Sequence, residues 1–158
     1  MTPKSVQTLL KEKRVSQVPK GKVISASPEI SIQKAIEIMQ EERHGYIALV
    51  KNKKVVGIFT ETDVSRQILG EAIDLNTPVS QVMAHNPITI LENDCVGKAI
   101  ALMGENRVYH LPVVDAEGRL EEVLSVRALI RFLAEFYPTE VYNLPPDPDQ
   151  VMKTAEGG

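Results

Sequence analysis

The stretch from Thr60 to Asp63 places two hydroxyl groups and a carboxylate at a predicted turn between a strand and a helix. Thr60 is suited to cap the helix, and Asp63 falls in its first turn, where a carboxylate interacts favourably with the helix dipole. That capping role explains the pattern by itself. Hydroxyls and a carboxylate beside free backbone N–H groups also suit ribose hydroxyls and a neighbouring phosphate. For one isolated turn, both interpretations stay open.

The turn closes a unit that occurs twice in the chain. When residues 18–50 are laid on residues 82–114, an offset of 64, nine positions are identical. One extra residue in a later turn makes the offset 65, so that Thr60 falls on Ser125 and Arg66 on Arg131. A fixed period of this length indicates two copies of one supersecondary unit.

Each unit is predicted to run strand, helix, strand, strand, helix. One unit is too small to bury both faces of its sheet, so we expect the copies to pack on each other. The sequence therefore predicts an α+β fold of two tandem β-α-β-β-α repeats, packed through their sheets with pseudo-two-fold symmetry. A short amphipathic helix before the repeats is expected to pack on the domain rather than to dock on a partner or a membrane surface.

The predicted boundaries follow the order of the chain. Residues 1–17 form the N-terminal helical segment, 18–70 the first repeat, 71–78 a linker and 79–136 the second repeat. Residues 137–158 are a proline-rich extended tail. The tail is either disordered or a strap, and we favour a strap as far as Leu144, held by Tyr137, Val141, Tyr142 and Leu144.

Composition excludes several functional classes. The 158 residues are 43% hydrophobic and 25% charged, as in ordinary globular proteins. A net charge of −3 argues against general nucleic-acid binding, which needs a basic face. No apolar run approaches the roughly 18 residues of a membrane span, and the N-terminus lacks a signal peptide's apolar stretch. Cys95 stands alone, which excludes an internal disulfide and favours the reducing cytoplasm.

The remaining reactive side chains form no recognisable catalytic or metal-binding pattern. The three histidines, His44, His85 and His110, share no metal-ligand spacing with each other or with Cys95. No Ser–His–Asp or paired-carboxylate arrangement can be argued from the chain. We therefore expect neither a metal site nor catalytic residues.

Several stretches together resemble a tandem CBS domain pair, also called a Bateman module. They are GIFTETDV (57–64), HLPVVDAEG (110–118), KVISASPEISIQKAIEIM (22–39) and NPITILENDCVGKAIALM (86–103). The resemblance covers Val18 to Leu133. It implies a compact disc with a pair of clefts between the two sheets, where many members of the family bind adenosine nucleotides and act as energy or metabolite sensors.

In that family, a cleft takes its T-x-x-D turn from one repeat and its walls from the other. The resemblance therefore implies a first cleft formed by Thr60, Thr62, Asp63, Met83, Asn86, Pro87, Ile88, Arg107, Val108, Tyr109 and His110. The apolar side chains Met83, Ile88 and Val108 suit the faces of a purine. Asp63 can accept from both ribose hydroxyls. Thr60, Tyr109 and His110 can donate to a phosphate, and Arg107 can supply charge.

The second cleft departs from the family's pattern. Its implied residues are Pro19, Ile24, His44, Gly45, Tyr46, Ser125 and Arg127. Ala128 replaces the carboxylate of Asp63, and Glu122 replaces Gly57, where a side chain could crowd or repel a ligand. We expect this cleft to be empty or to hold something else; Arg127 favours a more anionic ligand.

Two functions stay open. The first is a regulatory module that needs no cofactor and binds AMP, ADP or ATP, with AMP or ATP favoured and S-adenosylmethionine as another possibility. The second is a protein-interaction module with vestigial clefts. An enzyme is disfavoured, because the family's known catalysis lies in domains that this sequence lacks. We also expect a homodimer through two helix stripes, with a regulated partner protein possible; the stripes are Ile32, Ile36 and Met39, and Val96, Ile100 and Met103.

Overall fold

The computed structural model describes residues 5–70 and 72–136. The predicted C-terminal tail lies outside the described residues. The first element is the expected short helix, α1 (Val6–Glu12). Its N-cap is Ser5, whose Oγ accepts a hydrogen bond from the Thr8 backbone N–H at 3.1 Å. The helix packs on α4 (Val96–Asn106) of the second repeat, so it is an integral part of the fold.

The first repeat contains two helical regions and a sheet. Its elements are β1 (Ser25–Ala26), α2 (Ile32–Glu42), β2 (Tyr46–Lys51), β3 (Lys54–Thr60) and α3 (Glu61–Asp63), which continues as a π-helical turn (Val64–Ile68). Ser31 caps α2, because its Oγ accepts from the Lys34 N–H at 3.0 Å. The helix ends at Arg43, which adopts the left-handed conformation with φ 56°.

The second repeat has the same plan. Its elements are β4 (Ala84–His85), β5 (Ile90–Leu91), α4 (Val96–Asn106), β6 (His110–Val114), β7 (Leu120–Ser125) and α5 (Val126–Phe136). Strands β5, β6 and β7 form a three-stranded sheet, while β4 joins the sheet of the first repeat in the order β1-β2-β3-β4. Arg107 ends α4 with φ 54°, matching Arg43 in the first repeat.

The two repeats exchange the segments that precede them. We call residues 15–24 the first lead-in segment and residues 79–88 the second. Val15 and Val18 of the first lead-in segment are buried in the core of the second repeat. Val79 and Val82 of the second are buried in the core of the first. Boundaries drawn in chain order therefore cut across both cores.

Backbone hydrogen bonds fix this exchange. The Val15 N–H donates to the Asp94 carbonyl at 2.9 Å, just before α4. The Val79 N–H donates to the Ile30 carbonyl at 2.8 Å, just before α2. The two bonds are 64 residues apart on both sides, as the repeat predicts. The chain therefore has the predicted α+β fold with pseudo-two-fold symmetry.

The sheets meet along the pseudo-two-fold axis. At one end the β2–β3 hairpin contacts the β6–β7 hairpin, where the Leu120 N–H donates to the Lys53 carbonyl at 3.1 Å. At the other end the rings of Tyr46 and His110, equivalent residues of the two repeats, lie 5.0 Å apart. Between them Val123 of β7 packs against the core of the first repeat.

The π-helical turn distinguishes the closing helices of the two repeats. Thr60 and Ser125 are 65 residues apart, yet the core residues Ile68 and Phe132 are 64 apart. A π turn accommodates one extra residue. The turn thereby brings Ile68 into the first core, and Arg131 corresponds in position to Gln67 rather than to Arg66.

Most side chains of the predicted dimer stripes are buried within the chain itself. Ile32 and Met39 are buried in the first core, and Val96 and Met103 are buried in the second. The prediction that these four side chains face a partner is therefore wrong, because each covers its own sheet. Only Ile36 and Ile100 are partly exposed. This burial removes the proposed contact but does not test whether the chain dimerises.

The contact of α1 with α4 gives a first testable prediction. A Cβ atom on Gly97 would lie 3.1 Å from the Leu10 carbonyl oxygen, whereas a Cβ on Gly104 of the same helix meets nothing within 4 Å. Replacing a helical glycine by alanine normally stabilises by roughly 0.5–1 kcal/mol. We expect Gly104→Ala to show this gain in urea unfolding, and Gly97→Ala to lose it because α1 must shift. Equal gains would contradict the close packing of α1.

Candidate functional site

The turn after β3 is held by its own side chains. Asp63 Oδ2 accepts hydrogen bonds from the Thr60 N–H at 2.9 Å and from the Thr60 hydroxyl at 3.2 Å. In return, Thr60 Oγ1 accepts from the Asp63 N–H at 3.4 Å. The predicted capping role is therefore confirmed. It occupies one carboxylate oxygen, and Oδ1 takes part in no hydrogen bond among the described residues.

The second lead-in segment runs beside this turn. Strand β4 pairs antiparallel with β3, with His85 opposite Gly57 and Ala84 opposite Ile58. The next residue, Asn86, has φ 46°, and its N–H donates to the Val56 carbonyl at 3.1 Å. Pro87 is half-buried and Ile88 is exposed. Because β4 runs antiparallel to β3, the chain moves away from Thr60 along β4, and Asn86 lies level with Val56. The contact of residues 86–88 with the Thr60 turn stays a prediction.

Met83 occupies a different position from the other predicted wall residues. Its side chain is only 7% exposed and belongs to the first core. A Cβ atom on Gly57 would collide with the Met83 side chain. The expectation that Gly57 makes room for a ligand is therefore corrected, because its space is filled by Met83. A role for Met83 in a cleft wall stays a prediction.

Residues 107–110 lead from α4 into β6. Arg107 and Tyr109 are exposed, and Val108 packs partly against the second core. The Tyr109 carbonyl accepts from the Val126 N–H at 3.0 Å, which ties this segment to the start of α5. Its connection to the Thr60 turn runs across the axis: His110 contacts Tyr46, and Tyr46 is the cross-strand neighbour of Thr60.

Three rings line the axis between the two predicted clefts. Besides the Tyr46–His110 contact, His44 meets Tyr46 edge-on with ring centres 5.5 Å apart. The Tyr46 hydroxyl accepts from the Ile24 N–H at 3.3 Å and donates to the Lys22 carbonyl at 3.4 Å. Burial raises the pKa of Tyr46, although the Ile24 N–H opposes this. Sequence reasoning assigned Tyr46 and His110 to separate clefts and missed their contact.

His110 is a neutral side chain at physiological pH. Burial lowers its pKa to about 4, and the nearby His44 acts in the same direction. His110 can therefore donate one hydrogen bond to a ligand, as predicted, but it brings no positive charge to the cleft.

The second predicted cleft has a simpler turn. Ser125 Oγ accepts from the Ala128 N–H at 3.0 Å, which reproduces the cap without a carboxylate. Arg127 and Pro19 are exposed, whereas Ile24 is buried in the first core. A Cβ atom on Gly45 would lie 3.2 Å from the Glu61 carboxylate, so Gly45 lies against the first repeat's closing helix.

Glu122 is a buried carboxylate in the second repeat. Glu122 is 5% exposed, and its Oε2 lacks a hydrogen-bond partner among the described residues. It pairs with Val113 across β6 and, by the alternation of a strand, shares the face of Leu124, which lies in the second core. Burial raises its pKa, and Lys20 partly counteracts this. Glu122 therefore lies within the fold, not at an open cleft where it would repel a phosphate.

Two surface depressions accompany these elements. One, of about 490 Å³, lies at the hairpins and is lined by Lys53, Asp115 and Arg119 among others. The other, of about 420 Å³, lies between α2 and the π-helical turn and includes His44 and Glu61. Neither of these two depressions is lined by Asp63.

Two further features bear on function. Within residues 5–70 and 72–136, no group of three or more His, Cys, Asp or Glu side chains could hold a metal ion. In the same part of the chain, every helix is too short or too polar to cross a membrane.

Comparison with known proteins explains the repeat. A family model for the CBS domain matches residues 15–70 and again residues 79–135. The chain belongs to the CBS domain family. The first match begins three residues before the predicted start of the first repeat, and the second ends one residue before the predicted end of the second. Together the matches cover most of the described residues.

Three relatives illustrate the range of the family. An uncharacterised protein of Acidianus ambivalens is 30% identical over 78% of this chain and 75% of its own length. An inosine-5'-monophosphate dehydrogenase of Thermoplasma acidophilum is 31% identical over 80% of this chain, which spans only 25% of that enzyme. The crystal structure of a CBS domain protein from Pyrobaculum aerophilum in complex with AMP has 27% identity and a TM-score of 0.69, covering 77% of this chain and 98% of that one.

The buried Glu122 leads to a prediction about pH. Its raised pKa means that the folded state holds the proton more tightly than the unfolded state, so stability falls as pH rises from about 4.5 through the raised value. Glu122→Gln should therefore be more stable than the wild type near neutral pH, by about 1–3 kcal/mol, with the gain shrinking in acid. Urea unfolding at both pH values measures this. The exposed Glu105→Gln is the control, and a gain independent of pH would contradict the argument.

Proposed function

We propose that this CBS domain pair is a regulatory module that binds one adenosine nucleotide per chain in the first cleft. The observation that carries the proposal is the Thr60–Asp63 turn. It retains a carboxylate whose Oδ2 stabilises the turn and whose Oδ1 is available to a ribose hydroxyl. The complex of the Pyrobaculum aerophilum relative with AMP supports an adenosine ligand.

The difference between the two turns supports a single site. Ser125 repeats the hydroxyl cap of Thr60, but Ala128 stands where Asp63 does and offers no acceptor. A hydrogen bond to a charged acceptor contributes roughly 1.5–3 kcal/mol, which corresponds to about 10- to 150-fold in affinity. The second cleft should therefore remain empty at concentrations that fill the first.

A second candidate function is protein interaction. Leu69 is 79% exposed beside the depression on α2, and Ile130 of α5 is 50% exposed. Apolar side chains at such positions suit a protein surface, including a second copy of this chain. In this alternative the clefts are vestigial, and the helices carry the function.

Substitution of Asp63 tests the nucleotide site. Asp63→Ala should weaken AMP binding about 10- to 150-fold in calorimetry. Because Asp63 also caps the turn, the variant should lose about 0.5–2 kcal/mol of stability. Ser31→Ala removes the cap of α2 and is the matched control: it should cost similar stability and leave binding unchanged. If Asp63→Ala binds AMP as the wild type does, the site assignment is wrong.

The stoichiometry is a separate prediction. Titration of the wild-type chain should give one adenosine nucleotide per chain. The variant Ala128→Asp restores the carboxylate that the second turn lacks and should raise the number of sites toward two. Two equivalent sites in the wild type would overturn the proposed asymmetry.

The oligomeric state tests which exposed side chains form a dimer interface. We expect a homodimer, with light scattering at twice the chain mass of 17.5 kDa. Since four predicted stripe residues are buried, the dimer should depend on the exposed Leu69 and Ile130 instead. Substituting Asp for both should give monomers that still bind nucleotide. A wild-type particle of 17.5 kDa at micromolar concentration would rule the dimer out.

A further inference from the structure

We propose that the first cleft is selective for adenosine ligands with no more than one phosphate group, and that it discriminates against ATP. This inference rests on the proposed function and specifies the ligand class of the same site. The basis is the set of charged groups on the three segments that form the cleft, together with the packing of His110.

Those segments carry few cationic groups. Residues 60–64, 83–88 and 107–110 contain two carboxylates, Glu61 and Asp63, two histidines and a single guanidinium, Arg107. They contain no lysine. Tight phosphate recognition depends on charge-assisted hydrogen bonds from arginine or lysine. One arginine can match one phosphate, but nothing on these segments matches the further charges of a triphosphate.

The lysines of neighbouring segments are placed elsewhere. Lys22 pairs with Glu42 at 2.8 Å, and Lys20 acts on the buried Glu122. Lys53 lines the depression at the hairpins, at the opposite end of the strands from Thr60. Lys22 and Lys20 are thus engaged with carboxylates, and Lys53 lies at the hairpin end.

His110 does not supply the missing charge. Its ring packs against Tyr46 at 5.0 Å, and Tyr46 in turn meets His44 at 5.5 Å. Protonation would place a cation among half-buried rings and beside a second histidine, which desolvation and repulsion both oppose. His110 therefore acts as a neutral donor, which can serve a single phosphate oxygen.

Arg107 is well placed for that one phosphate. It is the exposed C-cap of α4, with φ 54°, and its N–H donates to the Met103 carbonyl. The left-handed backbone directs the chain sharply from the helix into residues 108–110. Arg43 has the same cap geometry in the first repeat, with φ 56°, and precedes residues assigned to the second cleft. It is therefore a matched control.

The test is calorimetric titration of adenosine, AMP and ATP at one ionic strength without divalent cations. We expect AMP to bind at least tenfold more tightly than ATP, and adenosine to bind within about tenfold of AMP. Arg107→Gln should lower AMP affinity to that of adenosine and leave adenosine affinity unchanged. Arg43→Gln should change neither.

A gain-of-charge variant checks the cause. Tyr109 is 64% exposed on the same segment, so Tyr109→Lys can be tolerated by the fold and adds one cation. The variant should raise ATP affinity more than AMP affinity and so reduce the ratio of AMP affinity to ATP affinity. Wild-type binding of ATP as tight as that of AMP would overturn the selectivity while leaving the proposed function intact. Failure of all three ligands to bind, adenosine included, would overturn the proposed function itself.

Discussion

The exchange of lead-in segments is the interaction on which the rest of the structure depends. Neither repeat contains all of its own core: Val15 and Val18 complete the second, and Val79 and Val82 complete the first. A unit of about 55 residues buries a small fraction of its surface and is marginally stable alone. The exchange joins two marginal units into one. It also makes each lead-in segment run from the core of one repeat to the core of the other.

The same exchange explains what could and could not be predicted from the sequence. The repeat, the order of elements and both capping turns follow from local patterns, because identical residues at a constant offset report identical local structure. Which core a lead-in segment joins depends on contacts with residues far away in the sequence. Local patterns therefore place residues 15–17 in the N-terminal helical segment, although Val15 is buried in the second core. The π-helical turn leaves only a weak trace in the sequence. The offset between equivalent residues of the two repeats is 65 at Thr60 and Ser125 but returns to 64 at Ile68 and Phe132.

The candidate site was predicted unevenly for a related reason. Thr60 and Asp63 lie where expected, because a cap depends on neighbours three residues apart. Met83 and Glu122 are buried more deeply than expected, because their positions depend on which face of a strand or lead-in segment packs inward. For Glu122 the signal was present: it shares the period of Leu124, and a two-residue alternation places both toward the core. The charge of Glu122 favours an exposed position, whereas its register in the strand correctly places it toward the core.

The axis of the molecule places Tyr46 and His110, equivalent residues of the two repeats, in contact. Tyr46 is the cross-strand neighbour of Thr60, contacts the His110 ring and is anchored to the first lead-in segment through Lys22 and Ile24. A displacement of His110 would therefore press on a ring whose hydroxyl is fixed to that segment. Tyr46 lies where the two repeats meet, so a small displacement there must be shared by both, since packed interiors leave little room for independent adjustment.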